Sequence, residues 1–128
     1  MQIPLARSVT LWTDIVGPAG TRFLRLLLDT GADYVTIGRE AASDIGFDLD
    51  RPERTIPLIG ANGVVPSPMF TAPLVRVQEI EVPNVRICVH DLPSEVSVEI
   101  DGLLGMSFLE HTIFTFDFKA RTFTMVDL

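Results

Sequence analysis

Leu26-Leu27-Leu28-Asp29-Thr30-Gly31-Ala32-Asp33 decides how this chain folds. Three leucines lead straight into a carboxylate, a small hydroxyl residue and a glycine. A strand entering a core does not ordinarily end on an acid, because an unpaired buried carboxylate is costly or shifts its pKa until it protonates. Asp29 therefore needs a partner, a proton or a task. Thr30 can hydrogen-bond nearby backbone or a symmetry-related copy of itself, and Gly31 permits close approaches that a side chain would block. The pattern suits an acid held rigidly, half-buried, at the floor of a cleft.

Working outward, the signals are mostly β. Upstream, Ser8 to Ile15 and Thr21 to Leu28 flank the turn Gly17-Pro18-Ala19-Gly20 and read as a hairpin. The second arm is apolar on both faces near its end, which predicts a central strand. Downstream, Tyr34 to Ile37 is a short strand, and Arg39 to Ile45 a short helix stopped by Gly46. Ile56 to Ile59 and Val64-Val65 surround Gly60-Ala61-Asn62-Gly63, and Asn-Gly between apolar runs is a strong hairpin signal. The return arm carries Pro66, Pro68 and Pro73, so it is expected to be irregular or to lie at an edge. Leu74 to Val77 with Val82 to Val89, and Ile113 to Phe118 with Arg121 to Val126, form two further strand pairs. Glu99 to Gly105 passes from strand to loop, and Met106 to His111 forms a short helix. These elements predict one all-β domain over residues 1–128, a closed barrel with one or two short helices.

Composition narrows the function. The chain has 128 residues, 47% of them hydrophobic and 21% charged, which fits a globular domain. A net charge of −7 argues against nucleic acid or an anionic membrane as the main partner. No apolar run approaches the roughly 20 residues of a membrane-spanning helix. The first residues lack the charged and apolar blocks of a signal peptide. Cys88 is the one cysteine, so no internal disulfide forms. A cytoplasmic location is expected.

A lone aspartate is poorly equipped to hydrolyse a peptide bond. Two carboxylates about 3 Å apart share a proton, so one can activate water while the other polarises the carbonyl. The chain has a single Asp-Thr-Gly. A second copy must come from a second chain across a two-fold axis.

With these residues in view, the chain resembles the retropepsin-like aspartic peptidases, the single-domain homodimeric relatives of the pepsins, and their cellular and microbial branch in particular. Three segments carry the resemblance: Leu26 to Ile37 around Asp29-Thr30-Gly31-Ala32; the glycine hairpin at Gly60 to Val64, in the place of the family's flap; and Asp101-Gly102-Leu103-Leu104-Gly105-Met106-Ser107-Phe108-Leu109, like the apolar segment and helix beside the family's catalytic loop. The resemblance implies an acid-protease-like barrel and an aspartic endopeptidase acting on peptide or protein substrates as a homodimer. No metal or organic cofactor is implied. Asp29 would be the catalytic acid/base, Thr30 would bond across the axis, and Gly31 would leave room for substrate backbone. Ala32 and Asp33 would contact substrate, and Gly60, Ala61, Asn62 and Gly63 would form a flap that closes over it.

One departure stands out. Retroviral members place an arginine after the glycine of the C-terminal helix segment, where it supports the dimer; here the match is Gly105-Met106-Ser107. Tyr34 replaces a small hydroxyl residue and is expected to narrow a pocket. Asp101 reads as a turn acid bonding nearby amides. Cys88, His90 and Asp91 are close in sequence but too few for the usual metal site. No serine sits in a recognisable nucleophile elbow. Trp12 and Phe114, Phe116, Phe118 and Phe123 read as core or interface. Two other readings remain open from sequence: a non-catalytic dimerising or peptide-binding module of the same fold, and a fragment of a larger protease precursor.

Overall fold

In the computed structural model, which describes residues 1–60 and 63–128, the β2–β3 hairpin starts the barrel. Strand β2 (Thr10–Val16) pairs antiparallel with β3 (Thr21–Leu28). Leu24 and Leu26 of β3 point into the core at 2% and 0% exposure, while Leu27 and Leu28 are half-buried. Full burial of one leucine contributes about 2 kcal/mol. Strand β4 (Val35–Ile37) and helix α1 (Arg39–Asp44) follow, then the long hairpin of β5 (Arg54–Gly60) and β6 (Gly63–Val77). Strand β7 (Ile80–Val89), helix α2 (Ser94–Ser97), strand β8 (Gly102–Leu104), helix α3 (Met106–Leu109) and strands β9 (Thr112–Asp117) and β10 (Thr122–Asp127) complete the chain, with β1 (Gln2–Pro4) at its start.

The order β2-β3-β8-β4-β7-β6 closes on itself because β2 also pairs with β6, through Asp14–Arg76, Ile15–Val75 and Val16–Leu74. Six strands thus form a closed barrel, and β5 extends from it beside the upper half of β6. At the seam, Arg76 donates to Asp14 at 2.9–3.0 Å. The core inside joins Leu11, Ile15, Leu24, Leu26, Val75, Ile87, Leu104 and Phe108. A second sheet, β1-β10-β9, closes one side through the buried Phe123 and Met125.

The expected all-β barrel is present, and the hairpins fall where the turn residues place them. Two details, a third helix and strand β1, differ from the sequence reading. The return arm after the glycine hairpin lies at an edge over Pro66 and Pro68, one of the two outcomes expected of its prolines, although β6 runs unbroken through Pro66, Pro68 and Pro73. Pro66 faces Pro57 across the ladder. Neither can donate, so that pair is a non-hydrogen-bonded one, and the ring nitrogens of Pro66 and Pro68 point away from β5. Over that stretch β6 has no other strand neighbour among the described residues, since pairing with β7 begins at Met69. The described residues also contain three short helices rather than one or two; α2 is a single turn with no buried residue, too short for any periodicity. Strand β1 was not expected. It is fixed by tertiary contacts, its N-terminal ammonium bonding Met125 O at 3.0 Å and Glu79 at 2.9 Å. Gly63, at φ +103°, adopts the left-handed conformation expected of the turn and pairs with Gly60. Ala61 and Asn62 lie outside the described residues.

Candidate active site

Strand β8 lies between β3 and β4, parallel to the first and antiparallel to the second. This puts Leu103-Leu104-Gly105 beside Asp29-Thr30-Gly31. The Asp29 amide donates to Leu104 O at 3.1 Å, and the Met106 and Ser107 amides donate to Ala32 O and Asp33 O at 2.8 and 2.9 Å. Both ends of the acidic loop are therefore tied to one segment. The packing demands glycine at two points. A Cβ on Gly102 would lie 2.0 Å from Thr36 O, and one on Gly105 would lie 2.4 Å from Tyr34 O.

Asp29 is half-buried, and its Oδ1 accepts the Gly31 amide at 2.9 Å. That bond orients the carboxylate from behind and leaves Oδ2 free of any partner among the described residues. Thr30 is exposed, and its hydroxyl has no partner in its own chain among those residues. Asp29, Gly31, Ala32, Asp33, Tyr34, Thr36, Cys88, His90, Leu92 and Leu103 line a cleft of about 680 Å3, roofed by Ile56 to Ile59 and Val65 of the β5–β6 hairpin. The structure thus gathers Asp29, Gly31, Ala32 and Asp33 in one cavity. Thr30 is not among its described lining residues; Gly60 pairs with Gly63 at the end of the hairpin. A small apolar cluster of Ile56, Met69 and Cys88, with Tyr34 and Leu58 against it, packs beside this cleft and apart from the barrel core.

Several polar contacts here were not legible in the chain. The Ser107 hydroxyl accepts the Val35 amide at 2.9 Å and donates to Arg86 O at 2.7 Å, fastening β4 to β7 under the acidic loop. Asp91 Oδ1 accepts the Arg39 amide at 2.9 Å, at the first turn of α1. Asp101 does bond a backbone amide, but a distant one: its Oδ2 accepts from Arg25 of β3 at 2.8 Å. The sequence signal in each case was a short polar residue flanking an apolar run, which marks a cap or bridge without naming its partner. Cys88 shares a hydrogen bond with Thr36 at 3.2 Å, and burial pushes its thiol pKa up. Among the described residues no group of three His, Cys, Asp or Glu could hold a metal ion. None of the described helices is long and apolar enough to cross a membrane.

The sequence model of the aspartyl protease family matches residues 16–108, from the end of β2 to α3. The chain belongs to that family. The matched region spans the Asp29 loop, the β5–β6 hairpin and the Leu103-Leu104-Gly105 segment, the parts that build the cleft. Among solved structures, a retropepsin-like aspartic protease from Rickettsia conorii is 26% identical over 98% of this chain and 97% of that one, with a TM-score of 0.70. No curated protein matches the chain. The fold is thus that of a retropepsin-like aspartic protease.

Proposed function

We propose that residues 1–128 form one peptidase domain, and that two copies related by a two-fold axis make an aspartic endopeptidase. The observation that carries this reading is the half-buried Asp29, oriented by the Gly31 amide and opening into a cleft of about 680 Å3. Two Asp29 carboxylates at the axis share a proton and hold a water between them. One takes the water's proton as it attacks the scissile carbonyl, and the other donates to the carbonyl oxygen; no covalent intermediate forms. Thr30, which has no partner among the described residues of its own chain, bonds across the axis. Gly31, Ala32 and Asp33 line the path of the substrate backbone. The hairpin of Gly60, Ala61, Asn62 and Gly63 acts as the flap that excludes water. The single buried cysteine fits a cytoplasmic enzyme.

The surface that supports pairing is β9. It is a free edge of the three-stranded sheet, and Ile113, Phe116 and Phe118 on and beside it are 54%, 37% and 77% exposed. An apolar edge strand is a template for a second chain.

The test is cleavage of an unbiased peptide library, read by mass spectrometry at several pH values, with wild type beside Asp29→Asn. Cleavage by wild type and none by the variant supports the reading. Comparable cleavage by a folded variant rejects it.

A further inference from the structure

Strand β2 is paired along its whole length with β3 but only in part with β6. The ladder to β6 covers Asp14, Ile15 and Val16 and stops there, because β6 ends at Val77 and the chain turns at Gln78. The alternation of hydrogen bonds fixes what the rest of β2 presents. Val9 O accepts the Leu28 amide, so residues 9, 11, 13 and 15 turn their main-chain groups toward β3. Thr10 and Trp12 turn theirs the other way, past the end of β6, and no main-chain group among the described residues meets them. This free edge borders a groove of about 370 Å3, lined by Thr10, Leu11, Trp12, Val77, Gln78 and Ile3 of β1. The groove shares no lining residue with the cleft of Asp29.

Alternating donors and acceptors along a strand edge match another extended main chain. We propose that this groove binds an extended, uncharged segment of a partner polypeptide, which adds to β2 from Thr10 to Trp12. Neither pairing of two copies nor hydrolysis is required for it. The walls decide the side chains, because successive residues of an added strand alternate between faces. The residue opposite Leu11 meets Leu11, Val77 and Ile3, and is therefore apolar. Residues opposite Thr10 and Trp12 lie on the outer face. There Trp12 and Phe23, 53% and 60% exposed, stack at 5.0 Å and offer aromatic surface. The charges select a neutral segment. Asp14 and Arg76, the ionisable groups lining the groove, pair with each other at 2.9 Å. Arg25, opposite Trp12, is held by Thr10 Oγ1 at 3.0 Å and Glu99 O at 3.3 Å. A charged side chain placed there would lose water without gaining a free counter-ion.

The probe is a peptide of alternating threonine and valine, acetylated and amidated at its ends. Trp12 is the one tryptophan of the chain and serves as the fluorescent reporter. The protein carries Asp29→Asn, so that the probe is not hydrolysed. With valine seated against Leu11, the threonine amides point at β2 and the valine amides point away. A saturable change in Trp12 fluorescence is expected, lost when the threonines are N-methylated and kept when the valines are. Adding Thr10→Pro removes one edge donor at the first residue of the strand, where proline is tolerated. Folded by circular dichroism, that variant should bind at least about tenfold more weakly. Should it not fold, the two methylated peptides decide. No saturable change, equal effects of the two methylations, or unchanged affinity of folded Thr10→Pro overturns the proposal. So does a Trp12 signal that changes on dilution of the protein alone, which makes a second copy the occupant.

Discussion

Replacing Ser107 by alanine removes one oxygen and strands two backbone groups. The Ser107 hydroxyl accepts from Val35 at 2.9 Å and donates to Arg86 O at 2.7 Å. Val35 is fully buried, so its amide has no route to water once the hydroxyl is gone. An orphaned buried donor costs about 1–3 kcal/mol, and loss of the bond to the more accessible Arg86 carbonyl adds about 1 kcal/mol. The sum is about 3 kcal/mol, equivalent to about 10 °C in the melting midpoint of a domain this size. Ser67 provides the comparison. Its hydroxyl is also buried, at 1% exposure, but has no hydrogen-bond partner among the described residues. Ser67→Ala removes an unsatisfied group, so stability is unchanged or rises by up to about 1 kcal/mol. Both variants are measured by urea denaturation followed by circular dichroism, at one protein concentration because pairing of chains would couple to folding. Equal losses in the two, or a Ser107→Ala loss below about 1 kcal/mol, would refute the hydrogen-bond accounting.

Two further outcomes follow from the same geometry. Phe118→Lys puts a charge on the exposed end of the β9 aromatic row, where Phe118 stacks on Phe116 at 6.2 Å; the variant should fold, sediment as a monomer and lose hydrolysis in parallel. Unchanged sedimentation of a dimeric wild type would remove β9 from the interface. Cys88 predicts a pH dependence: burial raises its folded-state pKa, against the smaller opposing effect of its hydrogen bond with Thr36. An unfolded thiol ionises near about pH 8.5. Above that pH the unfolded chain releases a proton the folded one keeps, so stability is full below about 8.5 and falls as pH rises toward the folded value. The urea midpoint between pH 7 and 10 should show this decline in wild type and less of it in Cys88→Ala; identical profiles would exclude Cys88 as its source.

How much was legible in the chain depended on whether the signal was local. Leu26-Leu27-Leu28 ending on Asp29 announced a central strand with an acid at its tip, because a carboxylate after three leucines has few stable environments. The turn at Gly17-Pro18-Ala19-Gly20 was visible from backbone preferences. The prolines of β6 pointed to an irregular or edge segment, and Pro66 and Pro68 do lie at an edge; which side of the strand they face was not legible, because a proline reports that a hydrogen bond is missing and not where, and the register with Pro57 settles that. Strand β1 and the single turn of α2 were too short for any periodicity to register.

The sequence by itself determined the fold class and the acidic loop, since these follow from apolar patterning and charge burial; that Gly102 and Gly105 are glycines because Thr36 and Tyr34 leave no room for a Cβ is visible only in the fold. Tertiary structure alone decided that β2 meets β6 through Asp14 and Arg76, that Asp101 serves Arg25 and Asp91 serves Arg39, and that Ser107 joins β4 to β7. Each of those contacts joins residues far apart in the chain. A short polar side chain declares that it will hydrogen-bond, but its partner is fixed only when the barrel closes and brings one buried donor or acceptor within 3 Å or so of it.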